Sequence, residues 1–483
     1  MLFNSYVFIF AFLPITVIVY FLLNRFRLSY AAKVWLALSS LFFYGWWDVK
    51  YVPLILSSIA FNYIMGRLLM RHPAGHQAKP DNPLSYQTEP GVGRRKALLA
   101  FAIIANVLLL VYYKYADFFL TNLNDIAGTD FALLKLILPL GISFFTFTQI
   151  AFLVDAYKRK AREANIVNYV LFVTFYPHLI AGPILHHGEM MPQFDRVRSK
   201  VWNWKNAALG VFVFGMGLFK KVVIADTFAG YASDGFATAT QFVDSWVAAL
   251  SYTFQLYFDF SGYTDMAIGA ALLFNIRLPQ NFNSPYKALS LQDFWRRWHM
   301  TLSRWLRDYI YIPLGGNRKG EARMLANNMI VFLVGGLWHG AGWTFLFWGF
   351  LHGFGQVVHR LWGKLCKKLG FQLPKWTAWL ITFVYVVIAW VFFRATSWDQ
   401  AIRILRGMSG LEGFDLNGAT LKALIFPIVL LIVFFPIVLF TRNSSERMET
   451  FRPTWKIGVI IALLFIFSLL YFNQISEFLY FNF

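Results

Sequence analysis

The chain has 483 residues, of which 58% are hydrophobic and only 14% charged, against about 25% charged in ordinary soluble domains. That balance excludes a conventional cytosolic enzyme and a disordered chain, and the single cysteine, Cys366, excludes a disulfide scaffold. Lys and Arg number 44 and Asp and Glu 24, a net charge of +20, which in so apolar a chain reads as basic residues at the ends of membrane spans rather than as a nucleic-acid surface.

A bilayer core of about 30 Å needs roughly 20 mostly apolar residues per helix. Residues 7–23, 97–113, 378–393 and 457–476 carry no charge at all. Hydropathy predicts spans at 5–23, 30–46, 51–70, 97–116, 131–156, 166–185, 207–225, 243–275, 325–362, 376–393, 420–440 and 457–473. Two of these, 243–275 and 325–362, are too long for one simple crossing. Each is read as a tilted helix, a broken helix or a span plus a re-entrant piece. The prediction is an all-α polytopic protein, one membrane domain over residues 1–483. The pattern recurs to the C-terminal residues, which argues against a secreted precursor.

Lys and Arg in the short connections set the expected orientation. The first has Arg25, Arg27 and Lys33; the third, 67–96, has Arg67, Arg71, Lys79, Arg94, Arg95 and Lys96; the fifth has Lys158, Arg159, Lys160 and Arg162. The second has only Lys50, and the fourth, 117–130, has Asp117, Asp125 and Asp130 with no basic residue. This pattern predicts an N-terminus outside and odd connections in the cytoplasm. The connection 186–205 breaks the alternation with Arg196, Arg198, Lys200 and Lys205. A re-entrant segment at Tyr176-Pro177-His178-Leu179-Ile180-Ala181-Gly182-Pro183 would restore it. Such backbone is tolerated at membrane depth only when buried in protein or lining a cavity. A proline-kinked ordinary span is the other reading.

The chemistry gathers in residues 255–353. Gln255, Asp259, Ser261, Tyr263 and Asp265 lie in an apolar stretch, where carboxylates are expensive enough to need a partner or a task. They are candidates to line a polar path or to fix helix packing. Residues 293–308 place Trp295, Trp298, Leu302 and Trp305 on one stripe at helical spacing. Arg296, Arg297, Arg304 and Arg307 lie mainly elsewhere, which predicts an amphipathic helix at the membrane surface. That helix is either an interfacial anchor or a docking platform for an anionic donor, which Arg318, Lys319 and Arg323 would extend. In Gly335-Gly336-Leu337-Trp338-His339-Gly340, His339 ends an apolar run, and Gly336 and Gly340 have the spacing of close helix approach. A histidine at membrane depth points to function. His352 repeats the spacing without supporting polar neighbours. His186-His187-Gly188-Glu189 departs from the usual metal-ligand spacings, so no metal is expected. Cys366 is read as a spectator and Asn443-Ser444-Ser445 as a chance glycosylation sequon.

Several strings together resemble the membrane-bound O-acyltransferase (MBOAT) family, in its bacterial alginate O-acetyltransferase branch. That branch also holds membrane subunits for peptidoglycan and cellulose acetylation. The strings are Leu138 to Phe144, Pro177 to Pro183, Gln255 to Asp265, Phe294 to His299, Trp305 to Tyr309, Leu314 to Arg318 and Gly336 to Gly340. The resemblance implies a ring of about 11 tilted helices plus re-entrant segments around a central tunnel. The family core would cover about 130–360, with C-terminal helices at 376–473. It maps the family histidine onto His339 and a second polar position onto His299, with Trp338 beside them. His339 is then expected to act as general base or covalent acetyl carrier, and His299 to orient the donor or polarise its carbonyl through a ring N–H. The resemblance further implies no bound cofactor, acetyl-CoA as donor with an acyl-carrier protein as alternative, a periplasmic acetyltransferase partner, and an exported polysaccharide as acceptor in a bacterial inner membrane. The competing classes are a channel or transporter and a scaffold that recruits the acetyltransferase. A transporter predicts inverted repeats, and the sequence shows no convincing one.

Overall fold

The computed structural model describes residues 1–71, 91–414, 418–472 and 478–479. Every regular element among them is helical. Six helices are long and apolar enough to cross a bilayer: Phe8–Arg25, Val49–Met70, Val92–Lys114, Trp204–Thr238, Lys375–Arg394 and Lys422–Phe440. Ile142–Tyr157 and Trp455–Leu470 are shorter apolar helices. The chain divides into two compact units, Met1–Val211 with Ala267–Pro279, and Phe212–Met266 with Gln280–Phe483.

In the first unit, polar side chains tie apolar helices together. Asn62 and Asn106 exchange side-chain hydrogen bonds of 3.0 and 2.7 Å. Gln149 donates to the Ser58 hydroxyl at 2.9 Å. Such bonds hold helices in lipid, where burying apolar surface between them gains little.

The region 166–185 is not one continuous span. Ile166–Thr174 is a nine-residue helix, about 14 Å long at 1.5 Å per residue. The chain turns at Phe175, forms the four-residue helix Tyr176–Leu179 and runs on without regular structure. Every residue from 171 to 185 is nevertheless buried. Irregular backbone deep in a membrane protein needs that burial and internal partners. Here the Tyr176 N–H donates to Ser40 Oγ at 3.1 Å, and the Gly182 N–H to the His178 carbonyl at 3.2 Å. Tyr176 sits among Phe8, Phe12 and Phe43 with ring centroids 5.1–5.9 Å away.

The structure corrects the predicted span at 131–156 and the loop at 117–130. Ala116–Ala127 is a helix, residues 128–141 are irregular, and the next helix begins at Ile142. The Asp117 carboxylate explains the difference. It accepts the backbone N–H groups of Leu134 and Lys135 at 2.7 and 2.9 Å, which holds the strand of irregular chain against the helix. Hydropathy reads the apolar side chains of 131–137 but not that local anchor.

The two overlong stretches resolve differently. Phe242–Leu273 is one helix of 32 residues, about 48 Å long. The stretch 325–362 is broken into Glu321–His339 and Trp343–Leu369. The two helices form a tight antiparallel hairpin. A Cβ on Gly336 would lie 2.4 Å from the Phe345 carbonyl oxygen, and one on Gly349 would lie 2.4 Å from that of Phe332. Gly336 thus serves the approach of its hairpin partner, whereas Gly340 makes room for the Phe345 ring.

Candidate active site

The hairpin break places His339 at the last residue of its helix. Its side chain is 1% exposed. The rings of Trp338, Trp348 and Phe393 surround it at 4.9, 5.1 and 5.0 Å. The fourth ring is His299, 6.4 Å away between centroids. Trp338 lies 6.0 Å from His299, so it borders both imidazoles.

His299 arrives by a different local route. Ser290 caps the short helix Leu291–Trp295 by accepting the Asp293 N–H at 3.1 Å. The chain then turns and enters Met300–Leu306 through His299, whose φ is +43°. A non-glycine residue in the left-handed region is strained and persists only where its surroundings hold it. Asn281 does so. Its backbone carbonyl accepts the Met300 N–H at 3.0 Å. Its side-chain oxygen accepts from Thr301 N and Thr301 Oγ1 at 3.1 and 2.9 Å and lies 3.2 Å from His299 Nδ1. Phe260 closes the site with its ring 4.7 Å from His299, edge to face.

The predicted amphipathic helix over 293–308 is therefore two short helices with His299 at the joint. Its tryptophan stripe is internal: Trp295, Trp298, Leu302 and Trp305 are all buried. The stripe builds the wall around the site and is not an interfacial anchor. Among the arginines, Arg296 is exposed and Arg304 half-buried. Arg297 is paired with Asp293 at 2.8 Å and Arg307 with Asp308 at 2.7 Å. Arg318, Lys319 and Arg323 are exposed.

Asp259 and Asp265 meet lysines that the sequence reading passed over. A Cβ on Gly217 would lie 2.5 Å from the Gly262 carbonyl oxygen, so the helices carrying these glycines cross closely. Just beyond the crossing, Trp204–Thr238 contains a π-helical turn over Lys220–Ala225. Lys221 Nζ sits 2.6 Å from Asp226 and 2.8 Å from Asp259, all three side chains being buried. Lys220 Nζ sits 2.7 Å from Asp265, which also accepts from Ser444 Oγ at 2.6 Å. The second Asp259 oxygen accepts the Leu479 N–H at 3.1 Å, and Phe478 stacks on Tyr263 at 4.4 Å. Both carboxylates thus hold helices and the chain near the C-terminus, while Phe260 between them meets His299. Gln255 Oε1 and Ser261 Oγ are buried without a hydrogen-bond partner among the described residues.

Three contributors escaped the sequence reading. Lys220 and Lys221 had a usable signal, because adjacent lysines inside an apolar span demand acids nearby. Asn281 had none: it lies in irregular chain 18 residues before His299. Against the sequence expectation, His352 has a polar neighbour: Trp295 Nε1 donates to its Nδ1 at 3.1 Å. Trp348 lies between His352 and His339, 4.8 and 5.1 Å from them. Elsewhere, His187 lies 3.2 Å from Glu163 and His186 3.6 Å from Asp155. Asn443 caps Ser444–Glu449 in a capping box with Glu446, so its side chain serves the fold.

Comparison with known proteins gives the family of the chain. Residues 96–397 match the model of the MBOAT, membrane-bound O-acyltransferase family. The chain is 46% identical to a peptidoglycan O-acetyltransferase of Helicobacter pylori, covering 100% of this chain and 98% of that one. It is 36% identical to a probable alginate O-acetylase of Pseudomonas putida, over 100% of both chains. A teichoic acid D-alanyltransferase of Bacillus subtilis is 29% identical over 54% of this chain and 69% of its own. With its paired histidines inside the matched region, the chain belongs to the membrane-bound O-acyltransferase family.

Proposed function

We propose that this protein is a membrane O-acetyltransferase that carries an acetyl group from a cytoplasmic thioester to hydroxyls of an exported polysaccharide, directly or through a periplasmic partner. The observation that carries the reading is the enclosed pair His299 and His339, 6.4 Å between ring centroids. Peptidoglycan is the acceptor we favour, because the peptidoglycan O-acetyltransferase is 46% identical and the alginate O-acetylase 36%, both over the whole chain. The proposed donor is acetyl-CoA, with an acyl-carrier protein second; exposed Arg296, Arg318, Lys319 and Arg323 offer charge to either. The setting is a bacterial inner membrane with the N-terminus outside, supported by the basic odd connections.

A sugar hydroxyl is a weak nucleophile at neutral pH. In this mechanism His339 takes its proton as the oxygen bonds to the thioester carbonyl carbon. The C–S bond then breaks, and the proton on His339 goes to the departing thiolate. In the covalent variant, a His339 nitrogen attacks first and expels the thiolate, which takes the ring proton; the hydroxyl then attacks the acetyl-imidazole, the N–acetyl bond breaks and the hydroxyl proton returns to the imidazole. Asn281 constrains His299 in either case. Its side-chain oxygen serves donors from Thr301, so the His299 proton resides on Nδ1 and the lone pair on Nε2. A neutral His299 therefore presents an acceptor at Nε2. It suits proton relay better than polarising a carbonyl through an N–H. The aromatic lining supports transfer by keeping water from the thioester.

The test is labelled acetyl transfer by purified protein in vesicles, supplied with acetyl-CoA and candidate polymers. Wild-type activity and its loss in a folded His339→Ala variant are expected. Retained transfer in that variant would overturn the assignment.

A further inference from the structure

In the first unit, where Val49–Met70 and Ile142–Tyr157 end, there is an open cavity of about 360 Å³. Arg67, Arg71, Arg159, Arg162 and Glu163 line it, with Met70 contributing to an apolar floor. Four arginines and a single glutamate thus line one cavity. That carboxylate is turned to other tasks. One Glu163 oxygen accepts from the Asn165 N–H at 2.9 Å and from Asn168 Nδ2 at 3.3 Å, and the other lies 3.2 Å from His187 Nε2.

The arginines differ in their freedom. Arg67 is held in place: Nη1 donates to the Ala164 carbonyl at 2.8 Å, and the guanidinium lies over the Tyr63 ring at 6.0 Å. Arg71 and Arg162 are exposed and form no ion pair among the described residues. Arg159 sits in a left-handed turn, φ +61°, which folds the basic connection back over the helix end. Concentrating like charge costs free energy unless an anion joins it. Guanidinium forks match phosphate oxygens in pairs. The apolar floor at the level where these two apolar helices end adds a second requirement, which a free phosphate does not meet. Basic pockets between spanning helices hold phospholipid headgroups in this way.

We propose that this cavity binds the phosphate of an anionic membrane phospholipid, with Arg71 and Arg162 on the headgroup and the apolar floor under its glycerol and upper acyl chains. The site is separate from the paired histidines and independent of the acetyl-transfer reading.

The experiment uses the full chain in nanodiscs of phosphatidylcholine carrying a titrated fraction of phosphatidylglycerol, with bound lipid counted by native mass spectrometry after release. The double variant Arg71→Ala, Arg162→Ala should bind phosphatidylglycerol about 30-fold more weakly. The variant Arg94→Ala, Lys96→Ala removes equal charge from the far end of the 67–96 connection, outside the cavity lining, and should stay within about threefold of wild type. Both sets of positions are exposed, and an unchanged melting temperature checks each fold. Equal weakening in the two variants would reduce the effect to diffuse surface charge and overturn the site. Undiminished binding in the first variant would do the same. Displacement of the lipid by millimolar glycerol 3-phosphate would assign the cavity to soluble phosphates and overturn the lipid.

Discussion

His299 and Asn281 are joined so that only one neutral tautomer of the imidazole fits. Asn281 Oδ1 lies 3.2 Å from His299 Nδ1 and takes the Thr301 N–H at 3.1 Å. Rotating the amide would set its NH2 against that N–H, donor to donor, so the oxygen is fixed. The imidazole must then hold its proton on Nδ1. The same contacts keep His299 in its left-handed conformation, which couples ring chemistry to backbone geometry at the point where the two short helices meet.

Asn281→Leu should therefore lower acetyl transfer by about 10²-fold or more, by freeing the tautomer and the turn together. Asn281→Asp keeps an acceptor facing Nδ1 and should recover much of the loss. Initial rates in vesicles measure both. Equal activity of the Leu and wild-type proteins would show that the tautomer does not matter.

Lys221 is enclosed by Asp226 and Asp259. Removing one member of a buried ion pair costs about 3–5 kcal/mol, because the other charge remains. Lys221→Met should lower the melting temperature sharply in detergent, and Lys221→Met with Asp259→Asn should recover part of it. If Asp259→Asn alone abolishes transfer without moving the melting temperature, Asp259 serves the reaction and not the fold.

His352 accepts the Trp295 indole N–H within the wall that reaches His339. His352→Leu leaves that donor unpaired and should cost about 1–3 kcal/mol, with a drop in transfer as Trp348 shifts. In His352→Asn, the amide oxygen stands near the place of Nδ1 and should restore stability. Thermal melts of the pair decide it: equal loss in both variants would contradict the hydrogen-bond role.

Glu163 gives a pH dependence away from the spans. Burial raises its pKa, but hydrogen bonding from His187, the Asn165 N–H and Asn168 outweighs this and leaves it below the ordinary 4.5. A carboxylate held low contributes stability that is fully present above its unfolded pKa and lost as pH falls through the folded one. Acidification from about pH 5 downward should therefore destabilise wild type more than Glu163→Gln, and melts from pH 7 to 3 would measure it. Parallel curves would show that the group does not contribute.

Composition was enough for an all-helical membrane protein, and the clustering of polar residues in 255–353 drew attention to the candidate site. The excess length of 325–362 left a broken helix as one of three readings, and the glycines around His339 pointed to close helix approach rather than to the position of the break. The fate of 293–308 was less legible. Its apolar spacing fits one helix, yet the turn at His299 depends on Asn281, which no periodicity connects to it. The same holds for 128–141, where apolar residues suggested a span and the Asp117 carboxylate holds irregular chain. Pattern reports which face is apolar; it does not report which distant polar atom satisfies a backbone N–H.

In the proposed mechanism His339 performs the transfer within the His299–His339 chamber. The most direct measurement is the rate of labelled acetyl transfer by His339→Ala, reconstituted in vesicles and shown by its melting curve to be folded. A loss of at least about 10³-fold is expected. A folded variant that transfers acetyl within tenfold of wild type would contradict it.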